Sequence, residues 1–346
     1  MTSSFAFANL EFPRPIVQAP MAGGITTPEL VAACANAGAL ASLGAGYLSA
    51  EAITTQCSAI RALTSCPFAV NLFVPASTIA DDDVIKRARA ALERCYQSAH
   101  VSMPEAFAEL PTFESQFEAM LDAHPAVFSF TFGRLDARYI NACRARGIAL
   151  VGTATSLSEA LALEEDGVDA IVLQGEEAGG HRGSQAPEGD AQPLMTLIKS
   201  CCARIARTPL IAAGGLMTAA DLSRAQHAGA SAGQFGTLFL LADEAGTSAS
   251  WRDALMEVVL CRDHKATGTT RAVSGRIARG IKNAWMDERA PQAIAPYPEQ
   301  HRLTAPLRKA AGVQWKSFWA GTGAHLCRSG SAAALIKALD NCSISD

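Results

Sequence analysis

The chain has 346 residues, 49% hydrophobic and 18% charged, enough apolar material for a sizeable core, and its net charge of −4 offers no basic field for nucleic acid. Its length exceeds the usual single domain but suits an α/β barrel of about 250 residues carrying insertions. Ten cysteines without C-x-x-C or metal-like Cys/His spacing exclude a zinc site, and no run of eighteen apolar residues occurs, so a cytoplasmic protein without membrane association is expected.

In chain order, residues 16–19 read as a short buried strand ended by Pro20, and Thr27-Pro28-Glu29 supplies an N-cap and first-turn proline for a helix through Ala37. A second strand, 39–43, leads to Gly44-Ala45-Gly46, and Ser49 caps a helix with Ile53, Cys57 and Ile60 on a 3.6 period. The third strand, 68–73, is apolar except for Asn71, which is either a site residue at a strand end or a partner for loop backbone. Residues 75–111 break the rhythm with two helical stretches, a helical insertion placed at 76–111. Alternation resumes with helix 113–123, strand 126–130, helix 136–146, strand 148–151 and helix 156–166, where Ser156 and Glu159 have capping-box spacing.

Strand 170–173 follows, then strand 209–213 with helix 219–226, then strand 230–235. Short apolar strands alternating with amphipathic helices demand a parallel sheet covered on its outer face. The fold class is therefore α/β, a (β/α)8 TIM barrel.

The central strand runs into a loop with four glycines in nine residues, Gly175 to Gly183, and one imidazole, His181. Glycines let backbone approach a ligand, and a histidine among them titrates near working pH. Gly214-Gly215 follows the seventh strand and Gln234-Phe235-Gly236-Thr237 the eighth, where barrels of this kind commonly bind phosphate through backbone N–H groups. The absence of G-x-G-x-x-G after an early strand argues against a Rossmann dinucleotide site.

An ordered set of motifs then spans nearly the whole chain. It comprises Gln18-Ala19-Pro20-Met21-Ala22-Gly23-Gly24, Asn71-Leu72-Phe73-Val74-Pro75, Ser129-Phe130-Thr131-Phe132-Gly133 and Gly179-Gly180-His181-Arg182-Gly183. It continues through Ala212-Ala213-Gly214-Gly215, Ser274-Gly275-Arg276 and Tyr297-Pro298. In this set the chain resembles the class I nitronate monooxygenases.

The resemblance implies noncovalent FMN at the C-terminal mouth of a barrel. Backbone at Ala19, Pro20 and Met21 would meet the flavin ring, and Asn71 and Gln174 would hydrogen-bond its polar atoms. Gly179 would border the cofactor, while Gly214, Gly215, Gln234, Phe235, Gly236 and Thr237 would hold its phosphate. His181 takes the position of the family's catalytic histidine, and Tyr297 is a substrate-side candidate or a packed tyrosine. Arg182 is either an anion clamp or a binder of loop backbone or of a carboxylate.

The implied reaction takes a small-molecule nitronate and O2 to a carbonyl compound and nitrite or nitrate, with no metal, in a monomer or homodimer. The alternative on the same scaffold is an NAD(P)H-dependent reductase of quinones or enoyl thioesters. Residues 1–244 are expected to form the FMN-binding barrel, and 245–346 a segment packed on it that lines the substrate site. Thr322, and Arg134-Leu135 after Gly133, depart from the family pattern where substrate-side loops are expected.

Overall fold

The computed structural model describes residues 4–75, 81–187, 189 and 192–340. It opens with an antiparallel hairpin that the sequence reading did not anticipate, β1 (Phe5–Phe7) and β2 (Leu10–Phe12). Strand alternation puts Phe5, Phe7 and Phe12 on one buried face, with ring centroids 5.3, 6.1 and 5.9 Å apart. That face packs on Val17, Leu40, Ala69, Val127 and Ala170 at the N-terminal ends of the barrel strands.

The barrel strands are β3 (Ile16–Gln18), β4 (Ala41–Gly44), β5 (Phe68–Phe73), β6 (Val127–Thr131), β7 (Ala149–Ala154) and β8 (Ala170–Gln174). After the two-residue β9 (Gly180–His181) come the last two, β10 (Leu210–Ala213) and β11 (Ala232–Phe235). These eight form one parallel sheet in the order β3-β11-β10-β8-β7-β6-β5-β4. A parallel bridge between Val17 and Leu40 closes it, with Gln18 N–H donating to Leu40 at 2.8 Å.

The covering helices are α1 (Pro28–Asn36), α2 (Ala50–Leu63), α3 (Asp82–Ser98), α4 (Phe113–Ala123), α5 (Ala137–Ala145), α6 (Leu157–Glu165), α7 (Leu194–Cys202) and α8 (Ala219–His227). Their starts follow the sequence signals. Thr27, Ser49 and Thr112 accept N–H groups in the first turns of α1, α2 and α4, each such cap contributing about 1 kcal/mol. Thr218 and Asp221 form a complete capping box. At α6 the box is displaced: Ser156 caps Glu159 N–H, but the Glu159 carboxylate takes the N–H and hydroxyl of Thr155.

The insertion after β5 contains one helix, α3, where two helical stretches were expected; positions 76–80 lie outside the described residues. Residues 101–107 run irregularly because their apolar side chains Val101, Met103 and Phe107 pack onto the α3 cluster. Arg89 also donates to the Pro104 and Glu105 carbonyls, holding them outside a helical ladder.

Beyond β11 the chain continues with α9 (Ala249–Cys261), β12 (Thr267–Thr270), β13 (Ala278–Ile281), α10 (Glu299–Ala310) and α11 (Ala332–Lys337). α10 shares a hydrophobic cluster with α3, centred on Trp285 and Trp315. α11 packs beside α1 on the barrel wall, where Asp340 pairs with Arg14 at 2.8 Å. Among the described residues no helix is long and apolar enough to cross a membrane.

Candidate active site

The C-terminal ends of the barrel strands carry polar side chains at inward positions: Asn71 on β5, Ser129 and Thr131 on β6, Thr153 on β7, Gln174 on β8 and Gln234 on β11. They form the floor of a cavity whose walls are the loops after the strands, at the end where barrel enzymes keep their sites. Asn71 is buried, and its amide nitrogen donates to Ser129 at 3.0 Å and Thr131 at 3.4 Å. Among the described residues its Oδ1 shows no protein partner, and the residue lines the cavity.

His181 stands on β9, which pairs antiparallel with β13 so that His181 faces Ala278. The Gln174 amide fixes the same loop from below, its Nε2 donating to the His181 carbonyl at 3.1 Å and its Oε1 accepting Gly183 N–H at 2.6 Å. Gln174, expected to serve a ligand, is thus first engaged by its own loop. The imidazole Nε2 lies 2.8 Å from Ser274 Oγ, its one protein hydrogen bond among the described residues, and the ring lines the cavity. Phe132 and Trp319 flank the ring at 5.9 and 5.6 Å. Burial, then the charges of Arg276 and Arg308, hold this imidazole down to about 3, so it is neutral at neutral pH.

Among the described residues neither arginine forms a close ion pair with a carboxylate, although the charge of Glu159 acts on Arg276 from further away. Arg276 is 1% exposed; it donates to the Ser184 carbonyl at 2.8 Å and lies 4.2 Å over the Phe132 ring. Phe132 itself adopts φ 81°, a strained conformation for a bulky residue, held by this stacking and by its N–H to Gly183. Arg308 donates to Thr304 Oγ1 and to the His301 carbonyl, and His301 stacks on Tyr47 at 4.3 Å.

The cavity is also lined by Gly214, Gly215, Gly236 and Thr237. Among the described residues, their N–H groups reach no protein acceptor. Gly214 and Gly215 take φ 114° and 72°, which side-chain-bearing residues rarely adopt. Thr237 Oγ1 accepts Gly321 N–H at 2.9 Å, which leaves its own proton free to donate. Backbone amides and a hydroxyl lining one cavity without protein acceptors suit a phosphate.

Of the residues singled out in the sequence, Ala19, Pro20, Met21, Asn71, Gln174, Gly179, His181, Gly214, Gly215, Gln234, Gly236 and Thr237 all border this one cavity. Phe235 does not: alternation along β11 turns its ring outward into the layer between sheet and helices, and its carbonyl accepts Ala19 N–H. Tyr297 stands behind the lining, 5.6 Å from Phe132 and 6.4 Å from His181, and Tyr47 is the tyrosine that reaches the wall.

Arg182 Nη1 donates to the Gly189 carbonyl, the backbone-binding reading of that residue. Arg134 forms a two-point ion pair with Asp166 at 2.7 and 2.5 Å, and Thr322 N–H bonds the Glu177 carbonyl; neither lines the cavity. Sequence reasoning gave no role to Tyr47, Trp251 or the Ser274 contact. Inward alternation on the strands was the signal for Ser129, Thr131 and Thr153.

Residues 7–341 match the family model described as nitronate monooxygenase. A probable nitronate monooxygenase of Staphylococcus saprophyticus is 36% identical over 336 residues, 93% of this chain and 92% of that protein. One of Bacillus subtilis is 37% identical over 320 residues, 90% of each. Among solved structures, the nitroalkane oxidase of Streptomyces ansochromogenes superposes with a TM-score of 0.86 at 34% identity, covering 95% of both chains. FabK of Thermotoga maritima, with a TM-score of 0.71 at 22% identity over 95% of this chain and 92% of that one, shares the fold.

Proposed function

The chain belongs to the nitronate monooxygenase family, and from that premise we propose that it is an FMN-dependent enzyme oxidising propionate 3-nitronate or alkyl nitronates with O2 to carbonyl compounds and nitrite or nitrate. The observation that carries this reading is one cavity lined both by Gly214, Gly215, Gly236 and Thr237, whose N–H groups reach no protein acceptor among the described residues, and by the imidazole of His181.

The residues fit FMN. A phosphate would be held by Gly214, Gly215, Gly236 and Thr237, and a Cβ at Gly236 would stand 3.4 Å from Ala19 Cβ, in the space that the glycine leaves open. Ala19, Pro20 and Met21 would border the ring system, with Asn71 Oδ1 as an acceptor. When bound, the flavin supplies the electron transfer and oxygen chemistry. The protein supplies position and field. Arg276 and Arg308 bias the His181 end toward an anion, and the neutral imidazole receives or shares a proton at Nδ1.

Two measurements test this. The purified protein should be yellow or become so with FMN, and it should consume O2 with propionate 3-nitronate. A protein that stays colourless with added FMN refutes the assignment. Anaerobic bleaching by NADH and not by nitronate would point to a reductase.

A further inference from the structure

Ser274 belongs to the segment before β13, 93 residues from His181, yet its hydroxyl is the one protein group bonded to that imidazole among the described residues. The hydroxyl is fully buried and has three neighbours: His181 Nε2 at 2.8 Å, Arg276 N–H at 3.3 Å and the Arg276 carbonyl at 3.3 Å. It can donate one proton and accept two.

Two arrangements are possible. If the hydroxyl donates to Nε2, it still accepts Arg276 N–H, but the Arg276 carbonyl loses its donor; no other donor reaches that carbonyl among the described residues. If Nε2 carries the proton and donates to Oγ, the hydroxyl accepts twice and gives its own proton to the carbonyl. Every group is then paired. In a pocket where Ser274 is 0% and Arg276 1% exposed, an unpaired carbonyl is the costlier outcome.

We propose that Ser274 is a positioning residue that holds neutral His181 as the Nε2–H tautomer, so that the atom facing substrate is Nδ1 with its lone pair. His181 then meets its ligand as an acceptor. When a proton leaves a carbon next to a nitro group, the C–H electron pair stays with the nitronate and the proton adds to Nδ1. The resulting imidazolium keeps its Nε2–H on Ser274 and presents Nδ1–H to the nitronate oxygens. Strand pairing at Ala278 and the Gln174 bridge hold the backbone still, so neither state requires the loop to move. The kinetic part of this inference rests on the functional reading above; the tautomer does not.

Nitrogen-15 NMR of the histidine side chains in the purified protein reads the tautomer directly, the His181→Asn variant identifying the His181 signals. At neutral pH the wild type should show a protonated Nε2 and an unprotonated Nδ1, and Ser274→Ala should lose that preference. With a neutral nitroalkane, Ser274→Ala should lower kcat roughly tenfold or more with KM little changed, and a preformed nitronate should lose less. A wild-type proton on Nδ1, or a Ser274→Ala spectrum identical to wild type, overturns the proposal. The wild-type spectrum decides the tautomer even where Ser274→Ala does not fold. A protein that shows the Nε2 proton yet oxidises no nitronate sinks the functional reading and leaves the tautomer assignment standing.

Discussion

The hydroxyl of Thr237 accepts the amide proton of Gly321 at 2.9 Å, joining the turn after the last barrel strand to a segment 84 residues further on. The neighbouring Gly179 leaves no room for a side chain, since a Cβ there would stand 2.5 Å from the same Gly321 nitrogen. Three distant stretches therefore meet at the phosphate-like end of the cavity. Thr237→Val should leave Gly321 N–H unpaired and remove a donor from the cavity, at a stability cost of about 1–3 kcal/mol. Flavin content after gel filtration should fall in Thr237→Val and persist in Thr237→Ser. Equal content in both would show that the hydroxyl holds nothing.

Gly236→Asp should empty the site without unfolding the barrel. Gly236 has a negative φ, and its added Cβ makes only ordinary contacts, with Ala19 at 3.4 Å and Met21 Sδ at 3.8 Å. The damage is therefore electrostatic, a carboxylate placed against a phosphate dianion. Gly236→Ala is the control and should keep its flavin. Flavin at wild-type levels in Gly236→Asp would place the phosphate elsewhere.

His181→Asn should keep cofactor and fold while losing turnover. Asparagine is polar and of similar size but accepts no proton near neutral pH, so removal of an α-proton from a neutral nitroalkane should slow by roughly 10²- to 10⁴-fold. A preformed nitronate skips that step and should lose less. Oxygen consumption with the two substrate forms compares them, and unchanged rates in a flavin-replete variant remove His181 from the chemistry.

Stability should fall with acid through the imidazoles of His181 and His301. Burial holds His181 down to about 3 and His301 down to about 2, against an ordinary value of 6.5. Below 6.5 the unfolded chain binds protons that the native protein refuses, so each residue lowers stability by up to roughly 1.4 kcal/mol per pH unit, while above 6.5 the loss vanishes. The melting temperature should drop between pH 7.5 and pH 5. His301→Phe keeps the stack on Tyr47 and should flatten that slope; a slope as steep as wild type would refute the idea.

The alternation of short apolar strands with capped helices was legible because each unit carries its own local signals, such as Thr27-Pro28 and Ser49. The first hairpin was not, since two strands of three residues give too short a run for period-two patterning to stand out. The cavity-facing residues could be found where a motif sat at a strand end. Pairings across long separations could not: Ser274 reaches His181 because β9 adds to β13, which no local pattern encodes. Gln174 likewise reads as a ligand-binding amide until the fold brings His181 and Gly183 over it. Phe235 was assigned by its neighbours, and period-two geometry turns its side chain into the core.

The phenylalanines of the first hairpin, packed against the lower ends of the barrel strands, make the barrel a cup. A tube would let one reactant enter while another left; a cup exchanges everything over one rim. Trp319 and Gly323 line the cavity together with Gly179 and His181. Entry and exit therefore share one mouth, and a product slow to leave delays the next substrate whatever the speed of the chemistry below.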